Sequence, residues 1–546
     1  MPWLSADLHV LSILALGGYL SMAVMLSVYG LHRLALLALY YRHAARAQPI
    51  GVDLLPEELP HVLVQLPIYN EKFVADRLID AVAAMDWPRS HLQIQVLDDS
   101  TDRTTPILAA ACARHRAHGL RIEHVRREGR EGFKAGALAY GMSLPSGGAP
   151  LIALFDADFV PDPDFLRRTV PVLLADERTG MVQGRWGHLN RDESLITKLQ
   201  AILLDGHFVI EHSARFRSSR FFNFNGTAGI WRRSAIEAGG GWQGDTLCED
   251  LDLSYRAQMA GWRFIYMQHL EVPAELPGDI AAFKSQQHRW AKGSIQTARK
   301  LLPSLWRSSL PLAIKVEATF HLAGNLAYPM MGVLLVLLPL SLAARLQWDW
   351  TWGLLVDLPI FICATINLVL FYAAAERELR DGQWLRRLHL IPAVLALGAS
   401  LTINNSRAVF QALRGHRSPF VRTPKAGTAS SGQYAQLPSR QSWLELSAGL
   451  YYSFAVVFAA ANSLWHAVPF LVLFSFGFLY LGLGSLPRPQ GADEPAPIMP
   501  GLPTTAATTT APQVAHMRAM APTPEQATLP PVAAPSSSGK RRVTGY

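Results

Sequence analysis

Residues 8–41 (HVLSILALGG through LALLALYY) are almost all apolar, and Arg42, His43 and Arg46 follow at once. A helix needs roughly 20 residues to cross a bilayer, so this run is long enough. The basic residues behind it place its C-terminal end in the cytoplasm and the N-terminus outside. Further long apolar stretches lie at about 316–344, 352–375, 443–463 and 466–486. Five crossings is the layout these segments predict. Loop charge agrees, because the loops assigned outside (345–351 and 464–466) contain only Arg345, whereas those assigned inside are Arg-rich. The segment 388–413 starts apolar and then carries Asn404, Asn405 and Arg407. A crossing there would strand Arg414, Arg417, Arg422 and Lys425 outside, so it reads as a helix in the membrane interface.

Between the first crossing and the rest the pattern changes. HVLVQLP (61–67), LQIQVLDDS (92–100) and LIALFDAD (151–158) read as short buried strands, separated by helical stretches such as 73–85 and 104–117. That alternation argues for an α/β domain with a mostly parallel sheet covered on both faces. Ligands of such sheets bind beyond the carboxyl ends of the strands. Residues 281–308 mix apolar positions with Lys284, His288, Arg289, Lys292, Arg299, Lys300 and Arg307, the pattern of a basic amphipathic helix at a membrane surface. After Pro487 the chain is rich in Pro, Ala, Thr and Ser, a composition too poor in apolar residues to fold.

The chain thus divides into a membrane helix and linker (1–54), the α/β domain (55–280), amphipathic interface helices (281–315), a membrane hairpin (316–375), an interface helix and loop (376–442), a second hairpin (443–486) and a disordered tail (487–546). Half the chain is apolar and only 17% charged, low in charge for a soluble enzyme and in keeping with membrane embedding. The net charge of +8 comes largely from Arg beside apolar segments. Attraction to anionic membrane lipids accounts for it without nucleic acid. The three cysteines, Cys112, Cys248 and Cys363, are far apart and support neither a disulfide framework nor a zinc site. The first apolar run lacks a basic leader and is too long for a cleavable signal peptide.

Four polar signatures sit in order on the α/β stretch: VLDDS (Asp98, Asp99), LFDADF (Asp156, Asp158), LCEDLD (Glu249, Asp250) and QQHRW (Gln286 to Trp290). Asp98, Asp99, Asp156 and Asp158 fall at predicted strand ends. Two acids two residues apart can aim at one Mg²⁺ or Mn²⁺, which prefer oxygen ligands. Trp290 is either a sugar-stacking platform or an aromatic anchor at the membrane interface. His207 and His212 flank Glu211 at i and i+5, a spacing that does not share one α-helical face, so no zinc pair is expected there.

In this order the signatures resemble the processive branch of glycosyltransferase family 2: cellulose, chitin and hyaluronan synthases, and most nearly the cellulose-synthase-like mannan and glucan synthases. The likeness covers about residues 60–430. It includes QLPIYNE (65–71), EGFKAGALAYG (131–141), QGRWGHLN (183–190), FNGTAGIWRR (224–233) and FVRTPK (420–425). It implies a cytoplasmic GT-A-like α/β domain with an all-α transmembrane region. It also implies roles. Tyr69, Glu71 and Asp99, with Asp98 beside them, hold the nucleoside; Lys134 contacts the nucleotide half of the donor; Asp156 and Asp158 set Mg or Mn against the diphosphate. Asp250 is the general base, the family pattern choosing it over Glu249. Arg289 faces the donor diphosphate, Gln286 and Trp290 the acceptor, and Gly226 and Thr227 line the acceptor side. Phe420, Thr423 and Lys425 match a gating loop, although Arg422 stands where the pattern has Val.

The resemblance implies an inverting transferase that extends a β-linked polysaccharide from a nucleotide sugar (UDP-glucose or GDP-mannose) in the inner cell membrane and couples synthesis to export, with any export partner unmarked in the sequence. A non-processive enzyme adding one sugar to a lipid acceptor, or an inactive membrane scaffold, are the alternatives.

Overall fold

A computed structural model describes residues 2–45, 58–346, 358–416 and 440–486. Its centre is a seven-stranded sheet in the order β3-β2-β1-β4-β6-β5-β7. The strands are β1 (Val62–Ile68), β2 (Leu92–Asp98), β3 (Ile122–Arg126), β4 (Leu151–Leu154), β5 (Thr179–His188), β6 (Gly229–Arg232) and β7 (Arg263–Ala274). β1 pairs in parallel with both β2 and β4, β2 with β3, and β5 with β7. Only β6 runs against its neighbours, β4 and β5. The mostly parallel sheet expected from the sequence is therefore present, with one reversed strand.

Alternate residues of these strands feed two cores. Val62, Val64, Leu66 and Ile68 pack on one face with Ile94, Val96 and Phe165. Leu63, Ile152 and Leu154 pack on the other with Leu138, Phe224 and Trp231. Burial on both faces explains why the strands read as unbroken apolar runs. One polar pair interrupts the second face. Gln65 and Gln95 are in register on β1 and β2 and bond side chain to side chain at 3.0 Å. Gln65 also donates to the Leu138 carbonyl and Gln95 to that of Gly141. A Cβ on Gly141 would lie 2.6 Å from both amides, so glycine there lets the helix Phe133–Ser143 sit down on the sheet. That contact fixes the helix whose second residue is Lys134.

Among the described residues four helices are long and apolar enough to cross a membrane: His9–Arg42, Leu312–Leu346, Leu358–Glu378 and Arg440–Ala461. The helix Val468–Gly484 is apolar but shorter, and Trp384–Ser400 and Thr402–Leu413 form a pair bent by 41°. The first helix and Asn367–Glu378 meet the α/β domain through Leu36, Tyr40 and Phe371, packed on Val209, Ile210 and Ala214. The helix Ile280–Arg307 begins with Asp279, whose carboxylate accepts from the backbone N–H groups of Ala281 and Ala282. Its basic residues are not all on the surface, as an interface helix would have them. Lys284 and Lys292 are buried, and Lys284 pairs with Glu445 at 2.6 Å. Residues 352–357, the gating-like loop and the tail lie outside the described residues.

Candidate active site

The carboxyl ends of β1, β2 and β4 open on one cleft, which is closed from the far side by the helices Glu249–Met259 and Ile280–Arg307. Tyr69, Glu71, Asp99, Lys134, Asp156, Asp158, Gly226, Asp250, Gln286, Arg289 and Trp290 all line it. Residues spread over more than 200 positions of sequence thus meet in one cavity.

Local chemistry explains each placement. After β1 the chain turns through Asn70 at φ 57°, a left-handed conformation that asparagine tolerates better than most residues. Its N–H donates to Ser100 Oγ and its side-chain oxygen accepts from Thr101 N, lacing the first two strand ends together. Asp99 then receives two bonds from Arg127, at 2.8 and 2.6 Å. The same guanidinium donates to the carbonyls of Glu131 and Phe133 and so shapes the loop that delivers Arg130. The Arg130 guanidinium lies 3.4 Å from the centre of the Tyr69 ring.

β4 ends at Leu154, and the Asp156 N–H donates to Thr227 Oγ1 at 2.9 Å. Lys134 Nζ bridges the two sides of the cleft, donating to Asp156 Oδ1 at 2.5 Å and to the Gly226 carbonyl at 2.9 Å. Gly226 has φ 82°, and a Cβ there would stand 3.0 Å from Asp250 Oδ2 and 3.2 Å from Lys134 Nζ. The positive φ favours glycine there, and a side chain would in addition press on the Asp250 carboxylate and the Lys134 ammonium. Asp250 and Glu249 occupy the first turn of their helix, where the helix dipole favours negative charge, and Asp250 Oδ1 accepts from Leu251 N at 2.8 Å. Cys248, ahead of them, packs so tightly on Gly293 that any side chain at 293 would collide with its Sγ. That contact registers the helix carrying Gln286, Arg289 and Trp290 against the acidic pair.

The charges are strongly interdependent. Burial raises the Asp250 carboxyl and Glu249 beside it pushes the same way, to about 7, against the opposing pull of Lys134. Asp156 is raised by burial, with Lys134 opposing and Asp158 adding to the rise. Burial works to lower the Lys134 ammonium, but Asp156 and Glu249 outweigh it and raise it. Arg289 is lowered by burial against the charges of Cys248, Glu249 and Asp156.

Two expected residues lie elsewhere. Asp98 is 1% exposed and faces away from the cleft, because neighbours on a strand point to opposite faces. It holds His124 Nε2 at 3.0 Å and accepts from Ser100 N. Thr227 is buried, and its hydroxyl secures Asp156 instead of lining the cavity. Phe420, Thr423 and Lys425 are outside the described residues. Sequence reading assigned no role to Arg130, Trp186, His188, Asn225 or Glu275, which also line the cleft. Trp186 and His188 were visible within QGRWGHLN; Arg130 and Glu275 carried no signal.

His207 and His212 also depart from expectation. Gly206–His212 is a π-helix, whose i→i+5 bonding brings the two rings to 4.4 Å. The i, i+5 spacing does share a face here. Among the described residues, however, no group of three or more His, Cys, Asp or Glu side chains could hold a metal ion.

The family model described as "Glycosyltransferase like family 2" matches residues 60–293. Glucomannan 4-beta-mannosyltransferase 1 of Oryza sativa subsp. japonica is 43% identical over 268 residues, 48% of this chain and 51% of its own length. Glucomannan 4-beta-mannosyltransferase 9 of Arabidopsis thaliana is 32% identical over 506 residues, 87% of this chain and 91% of its own. The chain spans about half the length of the first of these relatives and nearly all of the second. Among solved structures, a mannosyltransferase from Pyrobaculum calidifontis in complex with GDP-Man and Mn²⁺ is 18% identical, with a TM-score of 0.47, covering 73% of this chain and 100% of that one. The chain belongs to glycosyltransferase family 2, and the relatives it matches are glucomannan 4-beta-mannosyltransferases.

Proposed function

We propose that this chain is a membrane-embedded, inverting glycosyltransferase that moves mannose from a nucleotide sugar onto a growing β-linked glycan at the cytoplasmic face of the inner membrane, and passes the product through its own helices. The observation that carries this reading is the convergence of Asp250, Lys134, Asp156, Arg289 and Trp290 on one cleft. Mannose, and the 4-position of the β-linkage, follow from the names of the relatives. Cytoplasmic placement follows from the Arg-rich loops.

Each residue then has a physical task. A sugar hydroxyl is a weak nucleophile, and a carboxylate within hydrogen-bond reach takes its proton as attack proceeds. Asp250, raised toward neutrality, suits that task. Tyr69, Arg130 and Asp99 shape the strand-end pocket for the nucleoside, with Glu71 beside them. Lys134 and Arg289 place positive charge where the leaving diphosphate accumulates negative charge. Trp290 offers a flat face to the acceptor ring, with Gln286 one turn earlier on the same helix. A base and a fixed diphosphate on opposite sides of the anomeric carbon give one displacement and inversion.

Asp156 and Asp158 fit Mg²⁺ or Mn²⁺, which is commonly held by one or two carboxylates plus substrate phosphates, not by an all-protein cage. A cation bound there would supply charge neutralisation at the diphosphate. The donor assay is direct. Purified protein with Mn²⁺ or Mg²⁺ should consume GDP-mannose in preference to UDP-glucose and UDP-N-acetylglucosamine and release a β-linked polymer. A product limited to short, organic-extractable material would contradict the polymer reading.

A further inference from the structure

His188 follows Trp186 by two residues on β5, so both lie on one face of the strand, and both line the cleft. The His188 side chain is only 3% exposed, and its Nε2 lies 3.1 Å from Asp205 Oδ1. Asp205 is itself buried and receives Arg191 at 2.6 Å. Arg191 continues to Glu376, at 2.9 Å, and Glu376 to Arg387. A carboxylate only accepts, so Nε2 carries the proton and donates; in the neutral ring Nδ1 is then a fixed lone-pair acceptor.

That Nδ1 has no hydrogen-bond partner among the described residues, and neither does Trp186 Nε1. Buried polar atoms are seldom left unpaired, because each forfeits its hydration. Two on one strand face of the cavity wall, one donor and one acceptor, match a ligand bearing hydroxyls, which both donate and accept. The sheet order separates this wall from the nucleotide end. β5 stands three positions from β1, beyond β4 and β6. The Trp186 ring is 6.5 Å from that of Trp290, which belongs to the acceptor side of the mechanism.

We infer that His188 is a further recognition residue: its Nδ1 accepts a hydrogen bond from a hydroxyl of the acceptor sugar, with Trp186 completing the subsite. Asp205 is a positioning residue that fixes the ring. The inference rests on the glycosyl-transfer reading above.

The test uses the full chain in lipid nanodiscs, with a short β-linked manno-oligosaccharide as added acceptor and GDP-mannose as donor. His188→Gln keeps a donor toward Asp205 but removes the acceptor atom at the Nδ1 position. It should raise the acceptor KM about tenfold, the usual worth of one hydrogen bond, and leave the donor KM unchanged. His188→Asn, whose amide oxygen can stand near the Nδ1 position, should retain an acceptor KM much nearer the wild type. An unchanged acceptor KM in His188→Gln, an equal rise in both variants, or a rise in the donor KM alone would overturn the inference. Wild-type protein that consumes no nucleotide sugar would instead refute the transferase reading. Should His188→Gln not accumulate, His188→Asn still decides, since a tenfold loss there contradicts the assignment.

Discussion

Glu249 and Asp250 share one helical turn but not one environment. Asp250 approaches Gly226 and Lys134, and its carboxyl is raised to about 7 first by burial and next by the charge of Glu249. Only the ionised form can accept a proton, so transfer should fall as pH drops below that value. Removing the Glu249 charge removes one cause of the rise. Glu249→Gln should therefore move the acid limb of the kcat/KM profile to lower pH; a limb that stays in place, or moves up, would contradict this electrostatic account. At this scale the sequence was legible where a motif has one geometric outcome. Asp156, Asp158 and Asp250 all reach the cleft. It failed for Asp98, since D-D announces two acids but not which face each one takes. Arg130 was invisible because its role arises from a loop folded by Arg127.

At the scale of elements, the helix Ile280–Arg307 joins the cleft to the membrane region. Its Lys284 is buried against Glu445 of the helix Arg440–Ala461, with side chains 8% and 0% exposed. Breaking a buried pair from one side leaves an uncompensated charge and costs about 3–5 kcal/mol. Glu445→Ala should lower Tm in detergent markedly, whereas Lys284→Met with Glu445→Met should recover most of the loss. Equal Tm values for single and double variants would show that the pair does not tie these helices. The π-helix at Gly206–His212 makes a second prediction. Burial, then Arg215, pushes His212 down to about 3, below its ordinary 6.5 or so in the unfolded chain. Its contribution to stability is therefore complete above roughly pH 6.5 and is lost as pH falls, at up to about 1.4 kcal/mol per pH unit. His212→Gln should show a shallower decline of Tm between pH 6.5 and 4 than the wild type; an identical slope would refute it. No periodicity in the sequence marks a π insertion, because one extra residue per turn leaves the apolar pattern on either side intact.

For the whole molecule, the strand-helix alternation and the long apolar runs were enough to foresee a sheet domain between membrane-competent helices. They could not foresee the reversal of β6, which depends on pairing between β4 and β5 rather than on any local pattern. Nor did hydropathy foretell that Lys284 and Lys292 would be buried, since a basic amphipathic face looks the same whether it meets lipid headgroups or protein carboxylates. The arrangement gives the cleft two kinds of wall, strand ends on one side and helices continuous with the membrane bundle on the other. The most direct measurement is polymer formation from labelled GDP-mannose by purified wild type and Asp250→Asn, with donor affinity measured on both. The account predicts that Asp250→Asn binds donor nearly as well as wild type while product formation falls by a factor on the order of 10²–10⁴; product formed by the variant at the wild-type rate would contradict it.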